Sequence, residues 1–246
     1  FTAVSLDVDA NVPIDVPGQP LIPDNHDPAL PPALIIHLHG TGERGSDNLG
    51  QLSGLLTPIT NNADDYNFLV YAPQTSYSWS TSYLADVMRA AVTIAQDYGV
   101  DTDRIYQTGI SMGGGGAWVA LTHFEGGLAA GIPMAGPSYS SIDHEFAVDV
   151  PIWNFHSRND NAVSVSRSRT NCNAVYAAQG LPLPSYPSSG PDFFFEQSRL
   201  RLTEFDGSRH GTVSDPMGHP PLPTYACPTP PRHRPPPPPS RPPTPR

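Results

Sequence analysis

Ser111 stands in Gly109-Ile110-Ser111-Met112-Gly113, a serine with a glycine two positions to either side. A serine hydroxyl is a weak nucleophile at neutral pH, so one that does chemistry is raised on strained backbone and served by a base. The glycine spacing suits a serine at the tip of a strand-to-helix turn, where strand and helix must pass closely. The base for such a serine is a histidine, and the histidine needs a carboxylate to hold its tautomer. At a turn of this kind the order along the chain is Ser, then Asp or Glu, then His. Residues 152–156 read as a strand, and Ser157-Arg158-Asn159-Asp160 follows it, putting Asp160 just past a strand end. Asp143 and Asp149 precede that strand and are less well placed. The last strand expected, 199–205, leads through Asp206-Gly207-Ser208-Arg209 to His210, with His219 as competitor for the role of base. The tetrahedral intermediate of acyl transfer needs two N–H donors: the one after the nucleophile, Met112, and one from the loop following residues 33–39. Thr41 is the first choice there and Gly40 the alternative. Such chemistry calls for no metal and no cofactor. His37, His39 and His156 lie in or against strands and read as structural histidines.

The elements that would position these groups alternate between strand and helix. Residues 33–39 and 68–72 are nearly unbroken apolar, β-favouring runs, as buried parallel strands are. Leu84, Val87, Met88, Ala91, Ile94, Ala95 and Tyr98 recur at helical spacing, and Gly99 is placed to end that helix. A strand over 104–108 leads to Ser111, and a helix over 113–122 leaves it. Residues 128–134 read as another strand, 164–179 as a helix, and 199–205 as a last strand with one polar face. The first 32 residues suit one or two short antiparallel strands and an irregular lead-in. This alternation predicts an α/β domain with a mostly parallel sheet and helices on both faces.

Composition narrows the partners. The net charge is −10 over 246 residues, and all 13 basic residues are Arg. Nothing forms a basic stripe, which argues against a nucleic-acid partner. No apolar run reaches the length of a membrane span. Cys172 and Cys227 lack the paired spacing of a zinc site and could be bridged or free. The first residue is Phe1, and the expectation is a processed, exported protein, secreted or periplasmic. Composition divides the chain into a catalytic domain over 1–219 and a tail over 220–246, which holds 14 of the 31 prolines. Such a tail suits polyproline II or no fixed structure.

These features together resemble a known family. His39-Gly-Thr-Gly-Glu-Arg-Gly-Ser-Asp-Asn48, Ala72-Pro-Gln74 with Trp79, and Asp103-Arg-Ile-Tyr106 before Gly109-Ile-Ser-Met-Gly-Gly114 are similar to the α/β-hydrolase carboxylesterases. The branch resembled is that of polyhydroxybutyrate depolymerases, feruloyl esterases and predicted peptidases. Pro151-Ile-Trp-Asn-Phe-His156 with Asp160, Val163 to Ser168, and Thr203-Glu204 with His210 continue the likeness. The resemblance implies an α/β-hydrolase fold without a separate lid domain. It implies Ser111, Asp160 and His210 as a triad, with Met112 and Thr41 as oxyanion donors. The chain departs from the family at Ser157, where Gly is usual, and at Gly211-Thr212-Val213, where an aromatic is usual. The Pro-rich tail stands where the family has an amphipathic helix.

The activity expected is ester hydrolysis through an acyl-enzyme. Trp79, Tyr77 and Trp153 are expected to border the substrate, which would suit apolar or aromatic esters and polyesters. A serine peptidase using the same three residues, or a binding module that has lost catalysis, are the alternatives.

Overall fold

Leu34, Ile36 and Leu38 of β3 (Ala33–Leu38) are fully buried, and His37 between them is only 2% exposed, so this strand is covered on both faces. It is central in a nine-stranded sheet of order β1-β2-β4-β3-β5-β6-β7-β9-β8. The other strands are β1 (Thr2–Ala3), β2 (Gly18–Ile22), β4 (Phe68–Pro73), β5 (Ile105–Ile110), β6 (Ala130–Met134), β7 (Ile152–Ser157), β8 (Phe193–Gln197) and β9 (Leu200–Phe205). The run β4-β3-β5-β6-β7-β9 is parallel throughout, while β1, β2 and β8 join antiparallel at the two ends. The computed structural model describes residues 2–3, 16–23, 29–54, 56, 67–124, 127–207 and 210. The Pro-rich tail over 220–246, the boundary at 219, His219 and Cys227 lie outside the described residues.

Each connecting helix follows from local chemistry. α1 (Thr81–Asp97) starts where the Ser80 side chain accepts from Tyr83 N, and it buries Leu84, Val87, Ala91 and Ile94 along one stripe. Gly99, at φ +63°, turns the chain out of it. α2 (Met112–His123) is buried at every position from Met112 to Thr122, which its small and apolar residues allow. α3 (Ser166–Ala178) buries Cys172, Val175 and Tyr176. All three helices share one apolar cluster with Leu34, Leu69, Ile152 and Leu200 of the sheet. Across the sheet, Leu21, Leu56, Val70 and Ala72 form a smaller cluster, and Met134, Phe155 and Phe205 another.

The strands and helices lie within a few residues of where periodicity puts them, with one addition. Residues 193–195 read as an aromatic run following a loop; they form β8, an antiparallel edge partner of β9. The hairpin turns through Ser198 at φ +57°, without the Asn-Gly or Gly pair that marks such turns in sequence.

Candidate active site

The parallel strands set their carboxyl ends side by side, and the candidate residues lie just beyond four of them. Ser111 follows β5 at φ 56°, ψ −121°, outside the regions favoured by non-glycine residues. The glycines around it are required by space. A Cβ on Gly113 would lie 2.0 Å from Leu38 O, and one on Gly109 would lie 2.4 Å from Gly113 O. Backbone is thus packed on backbone on both sides of the serine. Ser111 N donates to Met134 O at 2.9 Å, tying the turn to the end of β6.

Asp160 and His210 are brought together by the pairing of β7 with β9. That pairing continues past the strand ends, with Arg158 N donating to Phe205 O (2.8 Å) and Asn159 N to Gly207 O (2.9 Å). Across this frame His210 Nδ1 lies 2.6 Å from Asp160 Oδ2. Asp160 Oδ1 accepts from Ala162 N at 2.8 Å and Val163 N at 2.9 Å. Burial pushes the Asp160 carboxyl up. The hydrogen bonds from His210, Val163 and Ala162 outweigh that and hold it below the usual carboxylate range. His210 Nε2, the nitrogen a base presents to its nucleophile, is buried and meets no hydrogen-bond partner among the described residues. Ser111 is therefore not hydrogen-bonded to it.

Three charges, two buried and one half-buried, brace the same two loops. Arg169 of α3 grips Glu204 of β9 bidentately (2.6 Å to each oxygen), and Arg158 Nε lies 3.6 Å from Glu204 Oε2. Glu204 is fully buried and Arg158 is 5% exposed. The Arg158 guanidinium also donates to Gly190 O and Pro191 O, and Arg169 to Pro187 O, so the Pro/Ser-rich loop is held as well. Sequence reading assigned none of these three a role, because a pair 35 residues apart has no local signature.

The loop after β3 abuts the serine: a Cβ on Gly40 would lie 3.5 Å from Ser111 Cβ. Gly40 N–H is already committed to Glu43 Oε2 at 2.8 Å. That leaves Thr41, which opens the turn Thr41–Glu43, as the donor candidate from this loop, alongside Met112 N at the start of α2. Burial pushes the Glu43 carboxyl up from its ordinary value, while the Gly40 N–H pulls the other way. Gln74, fully buried, pins the loop by donating to Glu43 O and Asp47 Oδ1 and accepting from Asn48 N.

The aromatic residues expected beside substrate separate. Tyr77 is 79% exposed on the loop next to this one. Trp79 is 3% exposed: its indole N–H donates to His39 O at 3.1 Å, and it packs where a Cβ on Gly116 would meet it. It packs beneath the loop and presents almost no surface. Trp153 lies near the amino end of β7, away from the catalytic edge, and donates to Thr203 Oγ1. Both expectations are corrected by burial and strand position, which the sequence pattern does not reveal. Of the histidines read as structural, His39 accepts from Thr75 N through Nε2 and donates from Nδ1 to Gly40 O. His37 is buried, but its Nδ1 has no partner among the described residues.

Among the described residues no cluster of three or more His, Cys, Asp or Glu side chains could hold a metal. No helix there is long and apolar enough to cross a membrane. A broad cleft of about 760 Å³ lies beyond the far end of α2, lined by His123, Ser140 and Ala177 among others, and contains none of the candidate catalytic residues.

No family model matches the chain. A crystal structure of a thermostable esterase superposes with a TM-score of 0.68 at 27% identity, covering 87% of this chain and 59% of that one. The acetyl xylan esterase from Aspergillus awamori superposes with a TM-score of 0.60 at 16% identity, over 80% of this chain and 90% of that one. The chain has the α/β-hydrolase fold. The same fold in Porphyromonas gingivalis dipeptidyl peptidase 4 matches at TM-score 0.59 and 14% identity, over 79% of this chain and 30% of that one. In sequence, the chain is 30% identical over 148 residues to the bifunctional acetylxylan esterase/xylanase XynS20E of Neocallimastix patriciarum, a match of 58% of this chain and 21% of that protein. This hydrolase-fold chain thus spans about a fifth of that curated relative and 59% of the thermostable esterase.

Proposed function

We propose that the chain is a serine carboxylic-ester hydrolase acting through Ser111, His210 and Asp160. The observation that carries this reading is the 2.6 Å His210–Asp160 hydrogen bond, made by two loops at the sheet edge where the strained Ser111 stands. His210 takes the Ser111 proton as Oγ attacks the ester carbonyl, and Asp160 holds the imidazole with its proton on Nδ1. The N–H groups of Met112 and Thr41 meet the oxyanion, aided by the positive end of α2. The tetrahedral intermediate collapses as His210 returns the proton to the departing alcohol. Water then repeats the sequence on the acyl-enzyme.

The substrate we favour is a small acyl ester on a polymer, with a carbohydrate backbone ahead of a polyester. With Trp79 and Trp153 withdrawn from the site, the case for a large apolar acyl group rests on Tyr77 alone. Two similar proteins are acetylxylan esterases by name. Tyr77, projecting beside the oxyanion loop, offers a stacking surface for a sugar ring or an aromatic acid. Export from the cell belongs to the same proposal, since such polymers are met outside it.

A fluorophosphonate probe should label the wild-type chain and fail on Ser111→Ala, with p-nitrophenyl acetate turnover lost in parallel. Turnover retained by Ser111→Ala would overturn the assignment. Acetylated xylan, a feruloyl ester, a polyester emulsion and a matched peptide, assayed side by side, order the substrate classes.

A further inference from the structure

His156 lies on β7 four residues before Asp160 and is fully buried. Its Nε2 is 2.8 Å from Val163 O and 3.4 Å from Asp160 Oδ2, and its Nδ1 is 2.7 Å from Ser168 Oγ. A carbonyl oxygen can only accept, so Nε2 carries the proton. In the neutral ring Nδ1 then accepts from the Ser168 hydroxyl. That N–H bonds Val163 O, and Nε2 stands 3.4 Å from the Asp160 carboxylate, close enough for its dipole to act on the charge. Backbone donors occupy Oδ1 of that carboxylate, and His210 occupies Oδ2. Among the described residues, the further side-chain N–H near Oδ2 is that of His156, with Nε2 at 3.4 Å.

We propose that His156 is a positioning residue: by bonding Val163 O it holds the loop whose Val163 N–H grips Asp160, and it lays its Nε2–H dipole beside the carboxylate oxygen that His210 engages. The inference rests on the reading of Asp160 and His210 as acid and base. Among the described residues, the charged or titratable groups acting on His156 are Asp160, and Glu204 and His210 on the β9 side, with Glu204 itself paired to Arg158 and Arg169. Burial lowers the His156 pKa, against the raising effects of Val163 O, Asp160 and Glu204, so the ring is neutral at neutral pH. A neutral N–H draws off part of the carboxylate charge without adding a cation. Asp160 then stabilises the imidazolium formed during catalysis less than an unshared carboxylate would, and the acid limb of the pH–rate profile sits lower.

The test compares His156→Leu, which removes the donor, with His156→Gln, whose amide N–H can replace Nε2. Two readouts are used on the full chain: the downfield proton resonance of the His210–Asp160 hydrogen bond, and the pH profile of kcat/KM for p-nitrophenyl acetate. The expected result for His156→Leu is a displaced or lost resonance, kcat/KM reduced roughly tenfold, and an acid limb moved to higher pH. In His156→Gln all three return toward wild type. A wild-type resonance with an unmoved limb in His156→Leu, or a Gln variant no better than Leu, overturns the inference. Should His156→Leu not accumulate as a folded chain, Ser168→Ala tests the same link by freeing Nδ1; an unchanged resonance and limb there would also overturn it. If the wild type shows no turnover, the esterase reading fails, and the resonance still decides for or against His156.

Discussion

A Cβ added to Gly113 would lie 2.0 Å from the carbonyl oxygen of Leu38, helix backbone meeting strand backbone with no room for a side chain. Leu38 ends β3 and Gly113 begins α2, so this contact sets how near the loop after β3 comes to Ser111. Gly113→Ala should cost about 3 kcal/mol in stability, because neither backbone can yield. The urea midpoint of the purified variant measures this, and a midpoint equal to wild type would contradict the packing described.

The buried neutral histidines make the fold acid-sensitive. Burial, with His39 adding to it, lowers the His37 pKa to about 4 from an ordinary value of 6.5. Between those values the unfolded chain binds a proton that the folded chain does not. The stability is thus complete above pH 6.5 and lost as pH falls toward 4, by up to about 3 kcal/mol from this residue. His37→Leu should flatten the fall in thermal midpoint between pH 7 and pH 4.5, leaving the part due to His39 and His156.

Glu204 neutralises two arginines in a place water does not reach. Glu204→Gln keeps the shape but leaves the Arg158 guanidinium, 5% exposed, with only the exposed Asp206 carboxylate at 3.7 Å as counter-charge, at a cost of about 3 kcal/mol. Because Arg158 lies two residues before Asp160, kcat should fall too. Denaturation and kinetics on the same preparation check both.

Trp79→Phe preserves the packing against α2 and removes the N–H that holds His39 O. The expected loss is about 1 kcal/mol of stability with a lower kcat. KM for a small ester should not change, since the side chain sits beneath the loop. A raised KM with unchanged stability would return Trp79 to the substrate surface.

Cys172 is a free, fully buried thiol, and burial foremost, with Glu204 nearby, pushes its pKa well above the ordinary value. A thiol reagent should leave it unmodified in the folded protein at pH 8 and modify it on unfolding in denaturant. Rapid reaction under native conditions would place it at the surface instead.

Much of this molecule is written in local pattern. Apolar runs at residues 33–39 and 68–72, a helical stripe from Leu84 to Tyr98, and glycine two positions either side of Ser111 each report a near-neighbour constraint. Those constraints were enough for the strand and helix alternation, the α/β-hydrolase resemblance, and the choice of Ser111, Asp160 and His210 as candidates. The tertiary structure decided what depends on distant partners. It set Trp79 under the loop after β3 and Trp153 near the amino end of its strand, since an aromatic residue fits a core and a cleft equally well. It committed the Gly40 N–H to Glu43, and it gathered Arg158 and Arg169 around the buried Glu204. It also turned His156 toward Asp160. Each of these is a pairing across the sheet or between loops, where the energy depends on distance and burial, and neither quantity has a period that a sequence can display.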